Sequence, residues 1–444
     1  MSAKPKGASD FQGAAGVQSF PQGSDSGRTR NLLPPIKNPS GAAVRAMRYQ
    51  LLAAARALFL YEGKQAGLTH PANSHRTAKC MYTSRGVDVP ILQSKEHGGA
   101  FYGNLVICGS VWACPVCAAK IQERRREEIA AAIVWAHKHG LQPVMVTLTF
   151  PHYAWDTLSV LVKQQADALK RLRRGNPWTR FTTSIAYQGL IRGLEVTFGE
   201  NGWHPHTHEI WFVSRQAAAD LSTPLLIEKE KKIREKNADY PELLEGQVDM
   251  RSQILNRWRS SCARAGLLDL NNRAQVAAFD AHAVNVKGWC DASDYLAKQD
   301  ESRHWGADRE LAKASSKAGR AKGMHPFGLL AEAAEGNRIA GAKYLEYTKA
   351  MFGKSQLFWS NGLKAKVGIA DLEDKEVAKE MRDKADVLGR LSLIQWRRIR
   401  SAEQRSQLLE AAEAGGWGGV LVFLAQLQKK PPPIRQGPRV IGSG

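Results

Sequence analysis

The sequence predicts an α+β protein built on a small antiparallel sheet with helices on one face. A cysteine-rich segment precedes the sheet and a helical region follows it. Three observations lead there. Runs at 143–150, 185–198 and 203–213 have the composition and alternation of strands. Apolar residues at helical spacing fill the stretches around them. Four of the six cysteines crowd between residues 80 and 117. The resulting order of strand, helix, two strands, helix, strand and helix suits a ferredoxin-like arrangement.

In chain order, residues 1–40 are rich in Gly, Ser, Pro and basic residues and are expected to be a disordered basic tail. A helical and cysteine-rich region at 41–140 begins with "AAVRAMRYQLLAAARALFLY" (42–61), which has helical spacing. After the cysteines, "AAKIQERRREEIAAAIVWAHKH" (118–139) is a strong helix stopped by Gly140. The core is expected at 141–302. It opens with the β-branched "PVMVTLTF" (143–150), followed by a basic helix over 155–174. Strands at 185–198 and 203–213 are joined by "GENG", and a charged helical stretch fills 214–266. "AFDAHAVNVK" (278–287) is read as the fourth strand, and "DASDYLAKQ" (291–299) begins another helix. A basic linker at 303–324 leads to a mostly helical region at 325–428, and 429–444 is read as a second mobile tail.

A net charge of +21 and a pI near 9.8 favour a polyanionic partner. Lys170, Arg171, Arg173 and Arg174 close one helix, and Arg251, Arg257, Arg259 and Arg264 stud another; all are candidate phosphate contacts. No apolar run approaches the roughly 20 residues of a spanning helix, and the polar start "MSAKPKGASDFQGAAG" has no signal-peptide character. The expectation is a cytoplasmic protein without a membrane partner.

Six cysteines in 444 residues are too few for a disulfide scaffold. "CGSVWACPVC" spaces Cys108, Cys114 and Cys117 as half of a tetrahedral zinc site. Cys80 is the best fourth ligand, with His97 and His75 behind it. Cys262 and Cys290 read as small core residues.

The segment "NGWHPHTHEIWFV" (201–213) places three histidines at every second position. Alternate side chains of a strand share a face, so His204, His206 and His208 point one way. In a hairpin with a two-residue loop, Glu195 lies on that face. It faces His208 if Asn201 and Gly202 are the central residues, and His206 if Glu200 and Asn201 are. An odd loop would turn it away. Imidazoles and a carboxylate with open positions suit a divalent cation that polarises a phosphate oxygen.

Three stretches in order, "VTLTF" (146–150), "HPHTH" (204–208) and "DYLAK" (294–298), resemble the motifs of plasmid rolling-circle replication initiators of the HUH endonuclease superfamily. Thr207 departs from the usual hydrophobic residue between the two histidines but points off the metal face. By position the resemblance makes His206 and His208 the metal pair, with Glu195 and His204 beside them and Mg2+ or Mn2+ as the cation. It implies the same nuclease-core fold, and a structural Zn2+ at Cys80, Cys108, Cys114 and Cys117. It also implies nicking of a plasmid double-strand origin, single-stranded at the nick, with host helicase and polymerase as further partners.

Tyr295, just after the fourth strand, is the expected nucleophile, and Lys298 shares its helical face. Tyrosine attack leaves a free 3′-OH and conserves the broken bond as a 5′-phosphotyrosine. Lys298 is placed to stabilise phosphate charge or lower the phenol pKa. Asp291 stands where similar initiators carry a glutamate that helps water end the cycle; it equally suits a helix N-cap. Tyr344 and Tyr347, three apart, read as core or DNA-contacting residues. An HUH relaxase or transposase would share the metal and tyrosine. A non-catalytic zinc DNA-binding regulator would keep only the cysteines and the charge.

Overall fold

A computed structural model describes residues 41–68, 75–215, 250–287, 323–379 and 384–429. Alanine-rich Gly41–Gln65 forms α1, and a 3-10 turn at Arg76–Lys79 leads to β1 (Asp88–Ser94) and β2 (Ala100–Tyr102). α2 (Pro115–Lys138) begins on a proline, where the missing N–H has no helical partner to lose. Just beyond it, Gly140 has φ of 69°, the left-handed stop that glycine adopts most readily. Then come β3 (Leu141–Leu148), α3 (Leu158–Leu172) and α4 (Gly175–Ser184). β4 (Gly189–Gly199) and β5 (Gly202–Ser214) form a hairpin. α5 (Met250–Arg264), α6 (Arg273–His282) and β6 (Val284–Lys287) complete the core. The C-terminal part holds α7 (Pro326–Ala334), α8 (Arg338–Ala350), β7 (Leu357–Trp359), α9 (Leu363–Val367) and α10 (Asp374–Lys379). It ends with β8 (Ala385–Ser392), α11 (Leu393–Ser401) and α12 (Arg405–Lys429).

The main sheet has the order β6-β3-β5-β4-β7, with every pairing antiparallel. Counting β3 to β6 as first to fourth, its core runs fourth, first, third, second. Together with the chain order of strands and helices, this is the ferredoxin-like arrangement expected from the sequence. On one face Val144, Val146, Trp203 and Trp211 pack with Leu161 of α3 and Trp258 of α5. On the other, Met145, Ile191, Ile210 and Phe212 pack under Ile129 and Ile133 of α2. Helices therefore cover both faces, where one was expected. The cause lies in β5 itself: Ile210 and Phe212 continue the period of the three histidines, so one strand face changes from polar to apolar along its length. α2 caps only the apolar end. Each large side chain buried there contributes about 1.5–3 kcal/mol.

Several expectations are corrected by long-range contacts. The proposed fourth strand over 278–287 is shorter: Asn272 caps a helix by accepting from the Gln275 N–H, and that helix runs to His282 before β6 starts. The C-terminal region is mostly helical, as expected, and adds two strands. β7 extends the main sheet beside β4, and β8 pairs with β1 to make a second sheet of order β2-β1-β8. One described helix, Arg405–Gln428, is long and apolar enough to cross a membrane, contrary to the expectation that no such run exists. It is broken at Gly415 and Gly416, whose dihedrals are non-helical, and Leu408, Leu409, Ala412, Val420 and Leu424 enter the main core. The tails, the basic linker up to residue 322, Cys290, and residues 216–249 of the charged helical stretch lie outside the described residues.

Candidate functional site

β4 and β5 are joined through Glu200 and Asn201, a two-residue loop that sets Glu195 opposite His206 and Thr197 opposite His204. This is one of the two registers the sequence allows, and it puts Glu195 on the histidine face. The Glu195 Oε2 atom lies 2.9 Å from His206 Nε2 and 3.0 Å from His208 Nε2. Three ligand atoms, one from each residue, fall within 4.8 Å of one another.

Each ring is oriented from behind. His208 Nδ1 is 3.0 Å from Thr147 Oγ1, and His206 Nδ1 donates to the His204 carbonyl at 3.3 Å. A carbonyl only accepts, so the proton sits on Nδ1 and Nε2 faces Glu195. Such outer partners fix the tautomer of a metal-binding imidazole. Burial alone would raise the Glu195 carboxyl, but the His206 charge and hydrogen bonds from both rings outweigh it and hold it at about 2. Burial likewise disfavours a charged His206, yet Glu195 overrides it and raises that ring above its usual value. With acceptors at both nitrogens His206 carries a second proton, at Nε2, and that is the position a cation would take over. The donor set fits a divalent ion: two imidazole nitrogens and a carboxylate oxygen, with the remaining directions open.

His204 is not part of this cluster. Its Nε2 is 2.8 Å from Thr149 Oγ1, and its ring stacks between His152 at 4.6 Å and His206 at 4.7 Å. Burial, together with the charges of His206 and His152, lowers it to about 3, so it is neutral. The reason is strand geometry: same-face neighbours are about 6.6–6.8 Å apart, so three in a row do not converge on one ion. His152, Thr147 and Thr149 were not singled out from the sequence. The alternating threonines of "VTLTF" were the available signal, since Thr147 and Thr149 share the face that meets the histidines.

Cys80, Cys108, Cys114 and Cys117 form a second cluster, fully buried. Their sulfurs lie 3.5 Å (Cys80 to Cys117), 3.6 Å (Cys108 to Cys117) and 3.7 Å (Cys114 to Cys80) apart. Four sulfurs about 2.3 Å from a tetrahedral centre would be about 3.8 Å apart. The Cys108 N–H donates to Cys80 Sγ and the Cys117 N–H to Cys114 Sγ, each at 3.4 Å. Burial pushes the Cys114 thiol well above the usual range, while hydrogen bonds from Cys114, Cys117 and Cys80 hold Cys108 well below it. Four packed sulfurs carry several negative charges only when a cation shares them. His75 instead caps the 3-10 turn by accepting from the Thr77 N–H at 3.2 Å, and His97 accepts from the Gly99 N–H at 3.2 Å.

The two clusters are mechanically linked. Tyr344 donates its hydroxyl to the Ala113 carbonyl in the cysteine loop at 2.8 Å. On the same helix, Tyr347 stacks on Trp203, and Glu346 accepts from Trp203 Nε1 at 2.8 Å. Tyr344 and Tyr347 are thus core residues, and burial pushes both phenols far above their ordinary range. The basic residues divide. Lys170, Arg171 and Arg174 are exposed, although Arg171 pairs with Asp167 at 2.7 Å. Arg173 turns inward to Glu209, which is fully buried and also accepts from Trp211 Nε1 at 2.7 Å. Arg251, Arg257 and Arg259 are drawn into Val284 O, Leu172 O and Asp280. Tyr295, Lys298 and Asp291 lie outside the described residues.

Residues 104–230 match a protein-family model described as "Replication protein". The chain is 27% identical over 315 residues to "Protein rep" of Streptomyces lividans, a match covering 60% of this chain and 64% of that one. It is 36% identical over 141 residues to "Neomycin resistance protein" of Streptomyces cyanogenus, covering 26% and 32% respectively. The chain therefore spans just under two thirds of the first relative and about a third of the second. No solved structure matches. These matches bear out the resemblance to plasmid replication initiators, and the family model spans "VTLTF" and "HPHTH".

Proposed function

We propose that this protein initiates plasmid rolling-circle replication by nicking one DNA strand and later rejoining it. The observation that carries this reading is the convergence of Glu195, His206 and His208 on one face of the central hairpin, beside the "VTLTF" strand. A divalent cation such as Mg2+ or Mn2+ held there supplies a Lewis acid for a phosphate oxygen. Thr147 and the His204 carbonyl hold the two rings so that both Nε2 atoms point at Glu195, into the position the cation would fill. Tyr295 is the nucleophile: its oxygen attacks phosphorus and gives up its proton to solvent, and the bond to the 3′-oxygen breaks as that oxygen takes up a proton from solvent. A 5′-phosphotyrosine and a free 3′-OH primer result. β6, which ends at Lys287 ahead of Tyr295 in the chain, is the immediate neighbour of β3. Lys298 offsets charge on the phosphate, and Asp291 activates water to end the cycle. Zn2+ at the four cysteines supports the fold. Lys170, Arg171 and Arg174 contact phosphates, and host helicase and polymerase extend the primer in the cytoplasm.

The test is incubation with supercoiled origin plasmid and Mn2+. The expected product is a nicked circle with protein on its 5′ end, absent with chelator. Tyr295→Phe should bind DNA yet give neither nick nor adduct, and Asp291→Ala should nick but not release a finished circle. An adduct mapped to another tyrosine would reject Tyr295; equal nicking with chelator would reject the metal.

A further inference from the structure

Between β3 and α3 the chain presents Tyr153 and Trp155, whose rings stack 4.8 Å apart and within 3° of parallel. Trp155 is 77% exposed and Tyr153 37%, so one flat face of a large aromatic pair stands in water. The loop under it is rigid. The Tyr153 N–H donates to Asp156 Oδ2 at 2.8 Å, the Asp156 N–H returns to the Tyr153 carbonyl at 3.0 Å, and Gln275 Nε2 donates to the Tyr153 hydroxyl at 2.7 Å. From the other side the β4–β5 turn presses against it. A Cβ on Gly202 would lie 2.9 Å from both Ala154 Cα and the Tyr153 carbonyl, and φ there is 80°. Only glycine allows this approach. His152 donates from Nδ1 to the Asn201 carbonyl at 3.0 Å, and its ring begins the stack that runs through His204 to His206 of the triad. A continuous row of rings therefore joins the aromatic loop to the candidate metal centre.

We propose that Tyr153 and Trp155 are a stacking platform for nucleobases of single-stranded DNA, holding the strand as it passes Glu195, His206 and His208. The inference rests on the nicking reading above and names how that site would select an unpaired strand. An indole face stacks on any base, so such a platform is tolerant of sequence. Bases in a duplex already stack on one another and present only their edges, so the platform favours single strands. Its rigidity means that little conformational freedom is lost on binding, and the net charge of +21 draws the polyanion toward it.

The test is equilibrium binding of the whole chain, without added Mg2+ or Mn2+, to a short single-stranded oligonucleotide carrying 2-aminopurine, compared with the same oligonucleotide made abasic at those positions. Stacking on indole should quench the 2-aminopurine. Trp155→Ala should abolish the quenching and weaken binding roughly 5- to 100-fold, Trp155→Phe should restore most of the affinity, and the abasic strand should bind wild type and Trp155→Ala alike. Equal affinity of wild type and Trp155→Ala for the base-bearing strand would overturn the proposal, as would an equal loss for both strands. The exposed position of Trp155 leaves folding intact, which an unchanged thermal unfolding temperature verifies. Because binding is read without the divalent cation and cleavage only after Mn2+ is added, stacking without any later nicking would reject only the nicking reading, and nicking without stacking would reject only the platform.

Discussion

The two candidate metal sites differ in how they are closed. Four cysteine sulfurs are sealed in the core and complete a tetrahedron by themselves, whereas Glu195, His206 and His208 are half-buried and supply three donors on one side. A closed set has nowhere to admit substrate and serves the fold; an open set leaves a position for a reacting oxygen. The hydrogen bonds of Tyr344 and Glu346 tie one helix both to the cysteine loop and to the strand of the open site.

The largest expected effect breaks the closed site. Cys114→Ser should remove the bound metal and most of the cooperative thermal transition, because binding energy at a structural site is folding energy. Metal analysis finding no zinc in unchelated wild-type protein, or an unchanged melting temperature in the variant, would show that the cysteines are merely packed thiols. At the open site the effect should fall on chemistry. His206→Ala or His208→Ala should slow nicking roughly 100- to 1000-fold, with melting temperature and duplex affinity nearly kept. A variant that unfolds instead would assign the triad to stability.

A smaller contrast separates the basic residues. Arg173→Ala strands the buried Glu209 carboxylate and should cost about 3–5 kcal/mol of stability. Lys170→Ala should leave stability alone and reduce the salt dependence of DNA binding by about one phosphate contact. Urea unfolding and salt titrations read both; equal stability of the two variants would contradict the inward role of Arg173. The smallest effect is on pH. His206 is held above its usual pKa by Glu195, so its proton competes with a cation. Manganese affinity should rise as pH increases from roughly 6 to 8, since deprotonation frees Nε2. A flat profile would mean that the ion does not displace that proton.

Alternation along β5 alone places His204, His206 and His208 on one face, and the Cys-x-x-C spacing alone gathers two of the four sulfurs. These are local periodicities, written into successive residues and legible without the rest of the chain. The ferredoxin-like order also followed, because strands and helices alternate in a pattern with few ways to close. What neighbours in sequence cannot express is which partner arrives from far away. The loop through Glu200 and Asn201 chose one of two allowed registers. Strand rise separated His204 from the triad, and Thr149 and His152 took up its ring. Glu209 drew Arg173 inward from a row of four basic residues that look alike in the sequence. β7 and β8 became strands by pairing with β4 and β1, far from them in sequence, where the edge of an existing sheet supplied the hydrogen bonds that their own residues lack locally.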